Sequence, residues 1–332
     1  MQSLERGFEA GSRKERLNCE LPEGPTNELT HMNGKSEHIC VCVCTYRRPE
    51  FLPRLLERVT KQITNGLFTY SIVVVDNDKL RSAEGLVSDF AASSRISVRY
   101  FVEPVQNIAM ARNKAVRNAC GDYLAFIDDD EFPTESWLLT LYEACRKYDV
   151  DGVLGQVNPY FDKEPPKWIR LGDFWQRPTY PTGTRVDGAR GRTGNVLLKR
   201  DVFPAGEEPF RPEFRAGEDK DFFTRMIEAG RVFVWCNEAV VYEVVPPERW
   251  KRSYLVKRSL FQGSFSPLHR TFSMVYLTRS VIAIPIYAAI LPFAAVTGHQ
   301  HFMSFLVKLA FHSGRVLACM GIKLIKAPYV TG

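Results

Sequence analysis

Tyr123-Leu124-Ala125-Phe126-Ile127 runs directly into Asp128-Asp129-Asp130-Glu131, and this junction decides how the chain is read. Five apolar residues in a row, closed by polar ones, match a strand buried on both faces. Four acids at its end repel one another and are costly to desolvate unless a cation neutralises them. Oxygen ligands with no His or Cys beside them favour a hard divalent ion, Mg²⁺ or Mn²⁺. Such ions accompany phosphates, so a nucleotide-type substrate is expected. The alternative is a polar turn that is merely acidic.

Outward from this strand, apolar runs alternate with amphipathic ones. Strands are predicted over 39–44, 70–75, 96–102 and 152–157, and helices over 50–63, 83–92, 108–119 and 135–148. Pro49 precedes the first helix; Asn107 stands as N-cap of the third, with Gly121 just past its end. This β-α repetition implies an α/β fold with a mostly parallel central sheet flanked by helices. Ligands of such sheets collect at the carboxyl ends of strands, where Thr45-Tyr46-Arg47, Asp76-Asn77-Asp78 and the acid run fall. Between 158 and 192 the pattern breaks into scattered Pro, Trp and Gly, too long for an idle connection and suited to a substrate-covering loop. A strand over 194–199, a helix over 219–229 and a strand over 232–236 follow.

At 332 residues, 45% hydrophobic and 25% charged, the chain can bury a real core in one large or two modest domains. Three regions are expected: a flexible polar tail over 1–37, the α/β domain over 38–247, and a membrane-associated helical region over 248–332. The net charge of +6 is concentrated in Arg249, Lys251, Arg252, Lys257, Arg258 and Arg270, just before a long apolar region. That pattern suits a membrane surface, not nucleic acid. A basic helix is predicted over 248–262, with Trp250, Tyr254 and Phe261 on one side. The apolar stretch 281–296 needs 274–277 to reach the ~20 residues of a span. The segment 302–325, interrupted by Lys308, His312, Arg315 and Lys323, reads as a second pass or an interfacial helix. Basic residues at both ends favour a hairpin returning to the cytoplasm; a hydrophobic helical subdomain of a soluble protein is the alternative. With no apolar leader in 1–16, the catalytic part is expected to remain in the cytoplasm. All eight cysteines are expected to be reduced. Cys40, Cys42 and Cys44 alternate with Val41 and Val43 and so share one strand face as small core residues.

The second chemical feature is Gly217-Glu218-Asp219-Lys220-Asp221, which opens a helix. Phe222, Phe223 and Met226 follow Asp219 at three, four and seven residues, so Asp219 heads the apolar stripe of its own helix. Helix capping explains one acid there, not one aimed along the core-facing stripe. Asp221, four residues before Arg225, reads as a solvated ion pair. A hard-metal site and a separate carboxylate suit displacement at an activated carbon: the metal holds a diphosphate leaving group while the carboxylate takes a proton from an incoming hydroxyl. Covalent catalysis has no support. The histidines fall in the N-terminal tail or beyond Leu268, and no Gly-x-Ser-x-Gly elbow, phosphate-binding loop or dinucleotide fingerprint is present.

Six segments in order carry a family resemblance: Val43-Cys44-Thr45-Tyr46-Arg47-Arg48-Pro49; Ile72-Val73-Val74-Val75-Asp76-Asn77; Asn107-Ile108-Ala109-Met110-Ala111-Arg112-Asn113; Phe126-Ile127-Asp128-Asp129-Asp130; Thr193-Gly194-Asn195-Val196-Leu197-Leu198; and Gly217-Glu218-Asp219. The set resembles family 2 inverting glycosyltransferases with the GT-A nucleotide-sugar fold. Val241-Tyr242-Glu243-Val244-Val245-Pro246-Pro247-Glu248-Arg249 and the apolar tail resemble the bacterial exopolysaccharide, succinoglycan-type, branch.

The resemblance implies that Thr45, Tyr46 and Asp76 hold the nucleoside, with Arg112 near the nucleotide. Asp128 and Asp129 would contact ribose or support the ion, and Asp130 would ligate the metal. Gly194 and Asn195 would shape the donor-sugar and acceptor pocket. Asp219 would be the general base, with Glu218 orienting the acceptor. It further implies a UDP-sugar donor, with glucose as the hexose, and a polyprenyl-diphosphate-linked oligosaccharide acceptor. Many relatives carry a histidine near the position of Tyr242, where Glu243 stands here, so no metal role is expected of that stretch. Two other classes are weighed. A nucleotidyltransferase would need a Gly-rich first loop with a downstream Lys where Thr45-Tyr46-Arg47-Arg48-Pro49 stands; a non-catalytic membrane scaffold would carry a degenerate site.

Overall fold

The computed structural model describes residues 36–203, 206, 208–214, 216–268 and 272–322. Almost all of the tail expected over 1–37 lies outside them. The described strands are β1 (Glu37–Thr45), β2 (Phe68–Asp76), β3 (Val98–Val102), β4 (Tyr123–Asp128), β5 (Glu131–Pro133), β6 (Gly152–Tyr160), β7 (Asn195–Lys199) and β8 (Phe233–Val244). The helices are α1 (Leu52–Thr60), α2 (Glu84–Ser93), α3 (Ile108–Asn118), α4 (Trp137–Tyr148), α5 (Lys167–Gly172), α6 (Glu218–Glu228), α7 (Arg252–Phe265), α8 (Met274–Thr297) and α9 (His299–Cys319).

The strands form one sheet in the order β3-β2-β1-β4-β7-β6-β8-β5. β3-β2-β1-β4 is wholly parallel, because each step is bridged by a helix able to make the crossover a parallel pair needs. β7 pairs antiparallel with both β4 and β6; it arrives after the long 161–194 connection and enters the sheet from the other end. β6 and β8 are parallel, and β5 closes the edge antiparallel to β8. The result is a mixed sheet flanked by helices.

The Cys/Val alternation of β1 sorts its side chains between two cores. Ile39, Val41 and Val43 pack under α1 and α4 with Leu55, Leu56 and Leu141. Cys40 and Cys42 face Ala111, Ala115 and Phe126 on the other side. The Asn107 cap forms as expected, its Oδ1 accepting from the backbone N–H of Ala109 at 2.9 Å and of Met110 at 3.4 Å. Two placements differ from the sequence reading. His38 is not in a tail but in β1, its ring bonded to the Thr69 and Ser71 hydroxyls at 2.7 and 2.9 Å. Cys120, between α3 and β4, is disulfide-bonded, so not every thiol is reduced; six described cysteines are free.

At the C-terminal end, α7 begins later than expected and leaves Trp250 in the preceding turn. α8 and α9, of 24 and 21 residues with mean hydropathy 2.0 and 1.3, are long and apolar enough to cross a membrane by length and composition. Val281, Ile282, Phe293 and Val296 of α8 are 54%, 55%, 74% and 89% exposed, unlike the core helix of a soluble protein. α9 crosses α7 closely. A Cβ on Gly263 would lie 2.0 Å from the Phe311 carbonyl oxygen, and one on Gly314 2.2 Å from that of Leu260, so only glycine permits this approach. Residues 323–325 of the expected second apolar segment lie outside the described residues.

Candidate active site

β1 and β4 are neighbours in parallel register, with Cys44 opposite Asp128, so the loop after β1 and the acid run leave the sheet side by side. Asp128 ends β4, Asp129 and Asp130 turn the chain, and Glu131 starts β5. The Thr45 hydroxyl donates to Asp129 Oδ2 at 2.8 Å. Thr45, Tyr46, Asn77, Arg112, Asp128, Asp129 and Asp130 line one cavity of about 380 Å³ at the carboxyl ends of the strands.

The negative charge expected there is answered by arginines. Arg48 spans Asp129 at 2.6 Å and Asp130 at 3.2 Å. Arg249 holds Asp130 at 2.7 Å and Glu243 at 3.4 Å, and Arg177 pairs with Glu243. Arg112 is buried, 3.5 Å from Asp128 and paired with Glu218. For Asp130, burial alone would raise the pKa, but the Arg48 and Arg249 guanidiniums outweigh it and hold the carboxylate below its usual range. Burial pushes Asp129 up to about 7 despite Arg48, with the Asp130 charge adding to the rise. Burial, then the Asp128 charge, pushes Glu131 well above the carboxylate range.

The other expected site residues fall around this cavity in different ways. Gly194 backs the acid run: a Cβ there would stand 2.9 Å from Glu131 Oε1 and 3.0 Å from Asp128 Oδ2. Asn195 is fully buried one residue on. It accepts from Trp137 Nε1 at 2.8 Å and donates to the carbonyls of Gln156 and Ala239 at 2.9 and 2.8 Å, so it braces β7 from inside. Asp76 is also fully buried, accepting from Asp78 N–H, Ala83 N–H and the Tyr100 hydroxyl at 3.0, 2.8 and 2.8 Å. These bonds commit its oxygens to the turn after β2, and its neighbour Asn77 lines the cavity instead. Glu218 is buried against Arg112, tying the start of α6 to the acid run.

Asp219 is half-buried at the head of a helix whose Phe222 and Phe223 are fully buried. It lines a separate cavity of about 470 Å³. A third of about 210 Å³ shares Arg177, Glu243 and Arg258 with the first and Gln262 with the second, so it lies between the two along α7. Asp221 does pair with Arg225, at 2.8 Å, but the carboxylate is 1% exposed. The pair is buried, because Arg211 and the neck of α6 close over it.

Arg48, Arg177, Glu243, Arg249, Tyr254 and Arg258 were not expected in the site and line its cavity. Arg48 had a signal, since it lies inside the first motif. Arg258, stacked 4.4 Å over the Trp175 ring, had none, because the charge on α7 read as membrane-facing.

Among the described residues no three His, Cys, Asp or Glu side chains converge as a metal cage. A Mg²⁺-type ion, however, is commonly bound by one or two carboxylates plus substrate phosphates. Asp128 and Asp130 supply hard oxygens at the cavity wall, and Glu131 Oε1 is buried beside them with no hydrogen-bond partner. The donor set fits an ion shared with a bound diphosphate and not one held by protein alone.

Residues 40–195 match the family model for glycosyl transferase family 2. The chain is 36% identical over 234 residues to the succinoglycan biosynthesis protein ExoM of Rhizobium meliloti (strain 1021), covering 70% of this chain and 75% of that protein. It is 23% identical over 233 residues to the glycosyltransferase AglE of Haloferax volcanii, covering 70% and 75%. The mannosyltransferase PcManGT of Pyrobaculum calidifontis, solved with GDP-Man and Mn²⁺, superposes with a TM-score of 0.58 at 16% identity over 87% of this chain and 89% of its own, a likeness of fold. With these matches, the ordered motifs and a mixed sheet carrying its acid run at the strand ends, the chain belongs to the family 2 glycosyltransferases of GT-A fold.

Proposed function

We propose that this chain is an inverting, metal-assisted hexosyltransferase of cell-surface polysaccharide synthesis. It would move glucose from a UDP-sugar to a lipid-linked oligosaccharide at the cytoplasmic face of the inner membrane. The observation that carries the reading is the first cavity: an anion-binding wall of arginines facing the carboxylates of Asp128 and Asp130. Such a wall suits a diphosphate, and a divalent ion held by Asp128 and Asp130 would supply charge neutralisation of the leaving group. Tyr46 offers a ring to the base, and Asn77, whose side-chain amide bonds the Glu103 and Val105 carbonyls and the Asn107 N–H, braces the wall beside it. Arg48 and Arg249 hold Asp130 ionised and oriented.

Across the groove, Asp219 is the acid left with neither an arginine partner nor full burial. It takes the proton from the attacking acceptor hydroxyl. Attack from the face opposite the diphosphate inverts the anomeric carbon. Glu218 fixes the start of α6, and hence Asp219, through Arg112. The exopolysaccharide setting rests on the likeness to ExoM, and the membrane setting on α8 and α9.

The decisive experiment measures UDP release from UDP-glucose with a lipid extract as acceptor. Wild type should transfer sugar, and Asp219→Asn should bind UDP normally yet lose about 10²–10⁴ of the rate. Near-normal turnover by the variant would remove Asp219 as base. No UDP release at all by the wild type would favour the scaffold reading.

A further inference from the structure

We propose that the cavity of about 470 Å³ between the start of α6 and the C-terminal helices is the acceptor site, built for a lipid-linked phosphate. Arg315 and Lys220 take the phosphate, and Asp219 meets the sugar beyond it. This rests on the transfer reading above and assigns the acceptor a place in the molecule.

The cavity has walls of two chemistries. Gly217, Asp219, Lys220 and Thr224 of the sugar-transfer half form one; Phe265, Tyr276 and Phe311 of the helical half form the other. An amphiphile with a polar head and an apolar chain matches both at once.

Arg315 supplies the argument for an anion. It projects from α9, an apolar helix, and among the described residues no carboxylate comes within ion-pairing distance of it. Its Nε donates to Ser266 Oγ at 2.6 Å, and its Nη1 to the Tyr276 carbonyl at 3.2 Å and Ser280 Oγ at 3.1 Å. The guanidinium also lies 4.8 Å over the Phe311 ring. These neutral contacts orient the charge without cancelling it. Around the nucleotide cavity Arg48, Arg112, Arg177 and Arg249 have carboxylate partners, and Arg258 stacks on Trp175 instead. An uncompensated charge in a membrane-type helix is costly and marks a ligand or partner, and a phosphate gives guanidinium its strongest hydrogen bonds.

The hairpin supplies the argument for a lipid. Tyr276 against Arg315, Ser280 against His312 and Tyr287 against Phe305 pair α8 with α9 in antiparallel order. Arg315 therefore lies at the end of the hairpin where α8 begins, the end that meets the cavity. From there the outward face of α8 continues as Val281, Ile282 and Ile286, each more than half exposed. A lipid chain can follow that face while its head group stays beside Asp219.

The test uses the full chain in detergent with three probes: farnesyl phosphate, farnesol and inorganic phosphate. Farnesyl phosphate should bind at least tenfold more tightly than either of the others and should not be displaced by saturating UDP. Gln262→Trp, which fills the cavity from α7, and Arg315→Gln should each weaken it at least tenfold while UDP affinity stays within twofold. Lys220→Gln, on an exposed side chain, provides the same readout if Arg315→Gln does not fold. Wild-type affinity in both Gln262→Trp and a folded charge variant would overturn the proposal. So would displacement by UDP, or full competition by inorganic phosphate at equal concentration. Should no UDP-sugar be transferred but the lipid phosphate bind with this dependence, the transferase reading fails and the site stands.

Discussion

Arg249 Nη2 lies 2.7 Å from Asp130 Oδ2, with the two side chains 7% and 10% exposed. A residue at the doorstep of the helical region thus neutralises the carboxylate at the centre of the acid run. Removing one partner of a buried pair costs about 3–5 kcal/mol; since Arg48 remains on Asp130, Arg249→Gln should cost about 2 kcal/mol. Thermal unfolding should show the loss, and calorimetric titration should show UDP affinity falling about tenfold. A variant that binds UDP as wild type would make Arg249 structural only.

Gly194 allows β7 to pass against the acid run. In Gly194→Ala the new methyl would meet Glu131 Oε1 at 2.9 Å and Asp128 Oδ2 at 3.0 Å, both at side-chain ends that can shift. The fold should survive within about 1 kcal/mol, while displaced carboxylates should raise KM for the nucleotide sugar several-fold. Unchanged steady-state kinetics would show that the position of Asp128 is not critical.

Metal removal tests the shared-ion reading directly. Transfer by chelator-treated protein should be abolished and then restored by Mn²⁺ or Mg²⁺, and Asp130→Asn should blunt that restoration. Full activity in chelator would leave the arginines as the sole neutralising charges and retire Asp130 as a ligand.

His38 predicts a pH effect on stability remote from the site. Burial, outweighing the Asp122 charge, and the Arg99 charge hold its pKa below the ordinary 6.5. The unfolded chain therefore takes up this proton first as pH falls, and the native state loses stability below about 6.5 until the folded group also titrates. Urea titrations at pH 7.5 and 5.5 should show that loss in wild type and a smaller one in His38→Gln. Identical losses would show that His38 does not carry the effect.

The acid run and the alternation of β1 were legible because each is a local constraint. A strand that must be dry on both faces reads as continuous apolar residues, and charge at its end has nowhere else to point. β5 was not legible, since three residues carry no period and Glu131–Pro133 is a strand only because β8 lies beside it. β8 itself was foreseen over five residues and runs over twelve, its polar Asn237 and Glu238 concealing the continuation. Asp76 was expected to touch the base; its oxygens are spent on the turn after β2, a choice fixed by Tyr100 arriving from β3.

By itself the sequence determined the strand-and-helix order apart from β5 and α5, the placement of acids at strand ends, the membrane-compatible tail and the family, because hydrophobic period and motif order are properties of neighbours along the chain. Only the tertiary structure decided what balances the acids. Arg48 and Arg249 reach Asp129 and Asp130 across 81 and 119 residues, and Arg177 reaches Glu243 across 66; a charge pair at such separation leaves no periodic trace. The same holds for α7. Its basic residues looked like a membrane-facing stripe, and Arg258 joins the nucleotide cavity because α9 and the 158–192 connection pack that face of the helix inward.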